Sequence, residues 1–275
     1  KNKKMHIKTF FLILINTTLC TSCAQTSKKN TQMNTSVQDP ITIHNVADRM
    51  WEVMPKYDTQ PMYMLRIHQE YCTYEVLVND YPVEENYSNG KLATPIQINR
   101  AILKSGEQTV TIRMYPLGDA LQKDYGEDEP YMSTLYGGSG VQVSVVQVNN
   151  WKNYPASEKE HLVKTHETEG FTNDAFPGKG LPYYEYTFTF TAEVPYENEG
   201  WSNGVDLRKI DSAILKQKIL YSFKAYQKAY ENKGINKVVN IHYNNEVRVS
   251  SSEYEDKNKI IGIWDEYKEN IARDK

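Results

Sequence analysis

Tyr184-Glu185-Tyr186-Thr187-Phe188-Thr189-Phe190-Thr191-Ala192-Glu193-Val194 decides the fold class. Its apolar and polar residues alternate without a break, and Pro182 and Pro195 bound it on either side. Successive side chains of an extended chain point to opposite faces, so Tyr184, Tyr186, Phe188, Phe190, Ala192 and Val194 share one face while the threonines and glutamates share the other. A strand that is apolar on one side only belongs in an antiparallel sheet, with one face on a core and the other in water.

The same period recurs upstream. Cys72, Tyr74, Val76 and Val78 alternate with Thr73, Glu75 and Asn79, and Asn79-Asp80 followed by Pro82 breaks the run. Ser88-Asn89-Gly90 marks a second turn, and after Ser105-Gly106 the residues Val110, Ile112 and Met114 alternate with Thr109, Thr111 and Arg113. Gly137-Gly138-Ser139-Gly140 opens a strand in which Val141, Val143 and Val145 share a face while Val146 and Val148 take the other, which predicts a bulge or two-sided burial near Val145. Strands separated by turns, with no long helical pattern between them, predict a β-sandwich over residues 62–196.

The period then changes to that of a helix. Leu215, Ile219, Phe223, Tyr226 and Tyr230 form one apolar stripe after Asp211 and Ser212, either of which can cap the first turn, and Gly234 can close the end. Ile260, Ile263, Trp264, Tyr267 and Ile271 form a second stripe. Residues 235–252 fit two patterns: Val238, Val239, His242, Glu246 and Val249 as a helix, or Val239, Ile241 and Tyr243 as a strand. The helix is expected, because a lone strand between two helices would lack a pairing partner. The fold class expected is α+β, an N-terminal antiparallel β-sandwich over 49–200 and a small helical region over 201–275.

At the start of the chain, Lys1, Lys3, Lys4 and Lys8 precede the apolar run Phe10-Phe11-Leu12-Ile13-Leu14-Ile15. The run is too short to span a bilayer, which takes about 20 apolar residues, but fits a secretory signal. It is followed by Thr21-Ser22-Cys23-Ala24. This stretch resembles the lipobox of bacterial lipoproteins, in which the signal is cut before a cysteine that carries acyl chains. Cys23 is the position preceded by two small residues; the leucine usual three places before the cysteine is replaced by Cys20, with Leu19 one place further back. The resemblance implies a signal peptide over 1–23, lipidation of Cys23 and attachment to the cell envelope, on the outer membrane or its periplasmic face. Ordinary secretion, with cleavage after Ala24, is the alternative. Residues 24–48 begin as a polar stretch without periodicity, expected to be a flexible tether.

Removing the leader's four lysines leaves 28 basic against 35 acidic residues, a net charge of −7, which argues against a nucleic-acid partner. Cys72 would then be the one cysteine outside the leader and Cys23, so no intrachain disulfide is expected. Tyrosine is abundant, 21 against 7 phenylalanines, and its apolar ring with a polar tip suits both half-buried strands and recognition surfaces.

Few residues suggest chemistry. His161 and His166 with Glu160, Glu167 and Glu169 form the one histidine–carboxylate cluster, but a five-residue spacing does not put both histidines on one helical face as a zinc helix requires. Asp119, Asp124, Glu127, Asp128 and Glu129 lack the alternation of a calcium loop. Ser139 has no glycine two residues later, which excludes a nucleophile elbow. Cys72, on the apolar face of its strand, reads as a buried thiol. Neither a metal nor a cofactor is therefore expected. Trp151, Tyr183, Tyr184, Trp201, Tyr131 and Tyr136, beside glycines, prolines and strand ends, are the candidate binding residues; the plain alternative is that they close the ends of the sandwich. Together these features lead to the expectation of a non-enzymatic, envelope-anchored binding lipoprotein, an immunity or inhibitor protein acting on a protein partner. The alternatives are a surface glycan-binding or scaffold lipoprotein, and a hydrolase using Glu160 to Glu169.

Overall fold

The computed structural model describes residues 39–170, 175–201 and 203–273. The expected signal peptide, Cys23 and the first part of the tether lie outside these residues. The described residues divide into two compact units, one of residues 57–198 with 252–254, the other of residues 39–56, 199–251 and 255–273.

The first unit is built from two four-stranded antiparallel sheets. One contains β1 (Met62–Glu70), β4 (Ile96–Gln97), β6 (Gly140–Val148) and β7 (His161–Glu167), in the order β4-β1-β6-β7. The other contains β2 (Thr73–Val78), β3 (Tyr81–Asn86), β5 (Gly106–Tyr115) and β8 (Tyr184–Ala192), in the order β3-β2-β5-β8. A single core draws on both sheets: Leu65 and Ile67 of β1 and Val141, Val143 and Val145 of β6 meet Tyr74, Val76 and Val78 of β2, Val110, Ile112 and Met114 of β5, and Phe188, Phe190 and Ala192 of β8. The chain is thus α+β, with sheets before helices, and the alternating stretches bury the faces that their periodicity indicates.

Both features anticipated near Val145 are present. Val146 and Val148 pair across the ladder with Met64 and Met62, and these four make a second, smaller cluster on the other face of the sheet, packed against Trp151, Tyr154 and Tyr254. The bulge is on the partner strand: Val145 lies opposite Lys164 and Val146 opposite Leu162, so Val163 of β7 is the extra residue.

Four strands, β1, β3, β4 and β7, were not foreseen individually. Asn79 and Asp80 adopt φ of 51° and 63°, the left-handed pair of a tight hairpin turn, so the chain folds back as β3 rather than stopping at Pro82. Pro82 is tolerated because β3 is an edge strand and its ladder is irregular at Leu77. β4 is two residues long, and β7 is exposed on nearly every residue, so neither carries an apolar period.

The helical unit holds α1 (Val46–Val53), α3 (Ser212–Glu231), α4 (Ile235–Ser252) and α5 (Lys257–Ala272), whereas a short α2 (Ala120–Tyr125) belongs to the sandwich unit. The Asp211 carboxylate accepts from the backbone N–H of Ala213 (3.0 Å) and Ile214 (3.1 Å) and caps α3. Its end turns through Lys233, at φ 50°, not through the expected Gly234, whose N–H donates to the Ala229 carbonyl at 2.8 Å. Residues 235–252 are a helix, as expected. Ile41 and Ile43, within the stretch expected to be tether, pack on, and Val46 and Met50 of α1 join, a core with Val238 and Val239 of α4 and Ile260, Trp264, Tyr267 and Ile271 of α5. Lys257 also pairs with Asp48 at 2.7 Å.

His242 of α4 is fully buried in this unit, with the rings of Tyr226 (5.7 Å) and Tyr267 (4.9 Å) against it, and Tyr267 donates to Glu246 at 3.0 Å. Burial lowers the His242 pKa from 6.5 to about 4. Folding therefore favours the neutral ring, and that contribution is complete above pH 6.5 and disappears as pH falls toward 4. Denaturant melts should show the unit losing on the order of 3 kcal/mol across that interval, and His242→Phe should flatten the dependence. An unchanged slope in the variant would contradict the assignment.

Candidate functional site

The seam between β2, β5 and β8 organises the outer face of the second sheet. In register, Glu75 lies opposite Arg113 and Arg113 opposite Glu185, three outward positions in one row. The Arg113 Nε donates to a Glu185 oxygen at 2.8 Å, and its guanidinium lies 3.6 Å from Glu75. Tyrosines accompany the row. Tyr87, just after β3, donates to one Glu75 oxygen, Tyr115 donates to the other at 3.2 Å, and Tyr183 donates to Glu185 at 2.5 Å. Their rings form a chain, with centroids 6.4 Å apart for Tyr87 and Tyr115 and 5.4 Å for Tyr115 and Tyr183.

This arrangement fixes both charge and conformation. Hydrogen bonds from Tyr183 and then Arg113 hold the Glu185 carboxyl below its usual pKa. Burial, reinforced by the Glu185 carboxylate, pushes the Tyr183 hydroxyl up to about 12, and burial with Glu75 raises Tyr87 as well. The hydroxyls are thus donors at neutral pH, directed into the row. Tyr87 and Tyr183 remain 49% and 40% exposed, so it is their rings that a partner would meet. At the same end of the sandwich, Tyr71 and Tyr136 pack edge to face at 5.5 Å, exposed 50% and 47%.

Of the six aromatic residues anticipated from the sequence, Tyr183 and Tyr136 fall at this end. Tyr131 is exposed on the loop after α2. Tyr184 faces inward, half-buried and edge-on to Phe176 at 4.9 Å. Trp151 stacks on Tyr154 at 5.1 Å and covers the Met62–Val148 cluster. Trp201 belongs to the helical unit, with the Arg248 guanidinium 5.8 Å from its ring centroid. Glu75, Tyr87, Arg113, Tyr115 and Glu185 were missed as site residues. Opposite charges at outward positions of separate strands were the available signal, but nothing in one sequence states the register that aligns them.

The histidine–glutamate segment is not drawn into one site. It is the edge strand β7, where His161 lies opposite Gln147 and His166 opposite Val143. Four rungs along a ladder correspond to about 13 Å, too far for both rings to serve one ion or one proton transfer. Glu160 accepts both arms of the Arg66 guanidinium at 2.7 Å and the Tyr154 hydroxyl at 2.9 Å. Arg66 above all holds its carboxyl below the usual range, which makes it a poor base. His166 stacks on Phe188 at 4.9 Å, and burial lowers its pKa. Among the described residues no group of three or more histidine, cysteine or acidic side chains could hold a metal. Ser139 is buried, its hydroxyl donating to the Tyr71 carbonyl at 2.7 Å, and shapes the turn into β6.

Comparison with family models, with curated proteins and with solved structures finds no match.

Burial pushes the Cys72 thiol up to about 12. In the chain from Ala24 onward, Ellman's reagent should label Cys72 only as fast as the sandwich unfolds. Stoichiometric labelling within seconds of mixing would contradict its place in the core.

Proposed function

We propose that this chain is a non-enzymatic, envelope-anchored binding protein that holds a protein partner through the tyrosine-rich end of its sandwich. The observation that carries the reading is the Glu75–Arg113–Glu185 row. Its carboxylates accept from Tyr87, Tyr115, Tyr183 and Arg113, which fixes the tyrosines in place while the rings of Tyr87 and Tyr183 stay exposed. Tyrosine and arginine held in one conformation lose little entropy on binding and are the usual anchors of protein interfaces. An immunity or inhibitor role, covering the active region of a partner, fits such a face, and the Thr21-Ser22-Cys23 stretch supports anchoring by an acylated Cys23.

Two experiments test this. The chain used as bait against the secreted proteins encoded beside it should retain one of them, and a polysaccharide array should stay blank. Tyr115→Ala with Tyr183→Ala should weaken the retained complex by tenfold or more, as removal of about 2 kcal/mol of anchor energy requires. Trp151→Ala should leave affinity unchanged. Retention on the array without a protein partner would move the reading to glycan binding. Separately, mass spectrometry of the protein from its native envelope should find an acylated Cys23 as first residue, and an unmodified start at Gln25 would contradict the anchor.

A further inference from the structure

The acidic balance of the chain conceals one basic element. From Ser212 to Tyr230, α3 carries Lys216, Lys218, Lys224 and Lys228 and no acidic residue. Its two halves differ. Tyr230 packs against the helical core that contains Ala229, and Tyr226 lies against His242. The N-terminal half instead presents apolar side chains to solvent: Ile214 is 50% exposed, Ile219 36%, Leu220 47% and Tyr221 77%. Ile214 and Tyr221 are two turns apart on one side, with Lys218 between them and Lys228 two turns beyond Tyr221. A globular unit normally turns such residues inward, and their grouping on two turns of one helix is the feature to be explained.

We infer that this half of α3 lies against an anionic lipid surface. The charge pattern selects that occupant. Lys216 and Lys218 lie in this half, and Lys224 and Lys228 follow on the next turns; lysines with apolar neighbours suit a plane of anionic headgroups, where Ile214, Leu220 and Tyr221 enter the acyl boundary and the lysine stems reach back to the phosphates. A second copy of α3 would set lysines against lysines. The helix lies along the surface rather than through it, since among the described residues no helix is long and apolar enough to cross a membrane. The inference does not depend on acylation of Cys23.

Vesicle co-sedimentation of the chain from Ala24 onward, which keeps every described residue and excludes the leader and any acyl chain, tests it. Vesicles with about a third phosphatidylglycerol should retain the protein, and pure phosphatidylcholine vesicles should retain at least about tenfold less. Lys218→Glu with Lys224→Glu should lower retention by about tenfold or more, and added salt should do the same. Tyr221→Ser, at a position too exposed to disturb the core, should lower it several-fold. Equal retention on both vesicles, or variants that bind like the parent, would overturn the inference. A dimer that forms without vesicles and dissociates on charge reversal would also overturn it and assign the surface to a second copy.

Discussion

The position of β5 between β2 and β8 is the constraint on which the rest of the sandwich depends. One register sets two rows at once. Inward, Val76, Ile112 and Tyr186 align, as do Val78, Val110 and Phe188. Outward, the same register places Glu75 beside Arg113 and Arg113 beside Glu185. A slip of one residue would put the charges in the core and the aliphatic side chains in water, so the hydrophobic core enforces the alignment of the surface row. The ion pairs need not be strong for this to hold. They are partly exposed, and such pairs contribute at most about 1 kcal/mol; their role is to orient tyrosines whose strands are already aligned.

The structure separates aromatic residues that cover from those that are exposed. Trp151 and Tyr154 close the outer apolar face over Met62, Met64, Val146 and Val148, which would otherwise be an open patch. Tyr184 and Phe176 fill the edge of the main core. Tyr87, Tyr183, Tyr71 and Tyr136 keep 40% or more of their surface in solvent at one end of the sheets. The open side between the edge strands is protected differently: Lys164 of β7 donates to the Thr189 carbonyl of β8 at 2.7 Å, and a lysine on an edge strand discourages pairing with another chain.

What could be read in advance followed from periodicity. Strands with one buried face, such as β5 and β8, and the stripe of α5 announce themselves because burial on one side writes a period into the residues. Elements without a one-sided face were invisible. β7 has charged residues along an exposed edge, β3 carries Pro82 and Glu84-Glu85, and α1 is too short for its stripe of Val46 and Met50 to stand out. Tyrosine abundance suits half-buried strands and recognition surfaces alike, and Trp151 and Tyr184, chosen for their place beside turns, serve packing. Glu75, Arg113 and Glu185 were visible only as the polar alternates of three strands. Their convergence is a property of register, which depends on how the whole core packs.

The most direct test of that register is a cross-strand disulfide in the chain from Ala24 onward. Antiparallel partners lie about 4.5–5.5 Å apart at Cα, within the range a disulfide spans, whereas a position four residues along is roughly 13 Å away. Arg113→Cys with Glu185→Cys should oxidise to an intramolecular crosslink, read as the loss of two hydrogens by mass spectrometry, and Arg113→Cys with Thr189→Cys should stay reduced. Crosslinking of the second pair and not the first would contradict the register, and with it the row on which the proposed binding face is built.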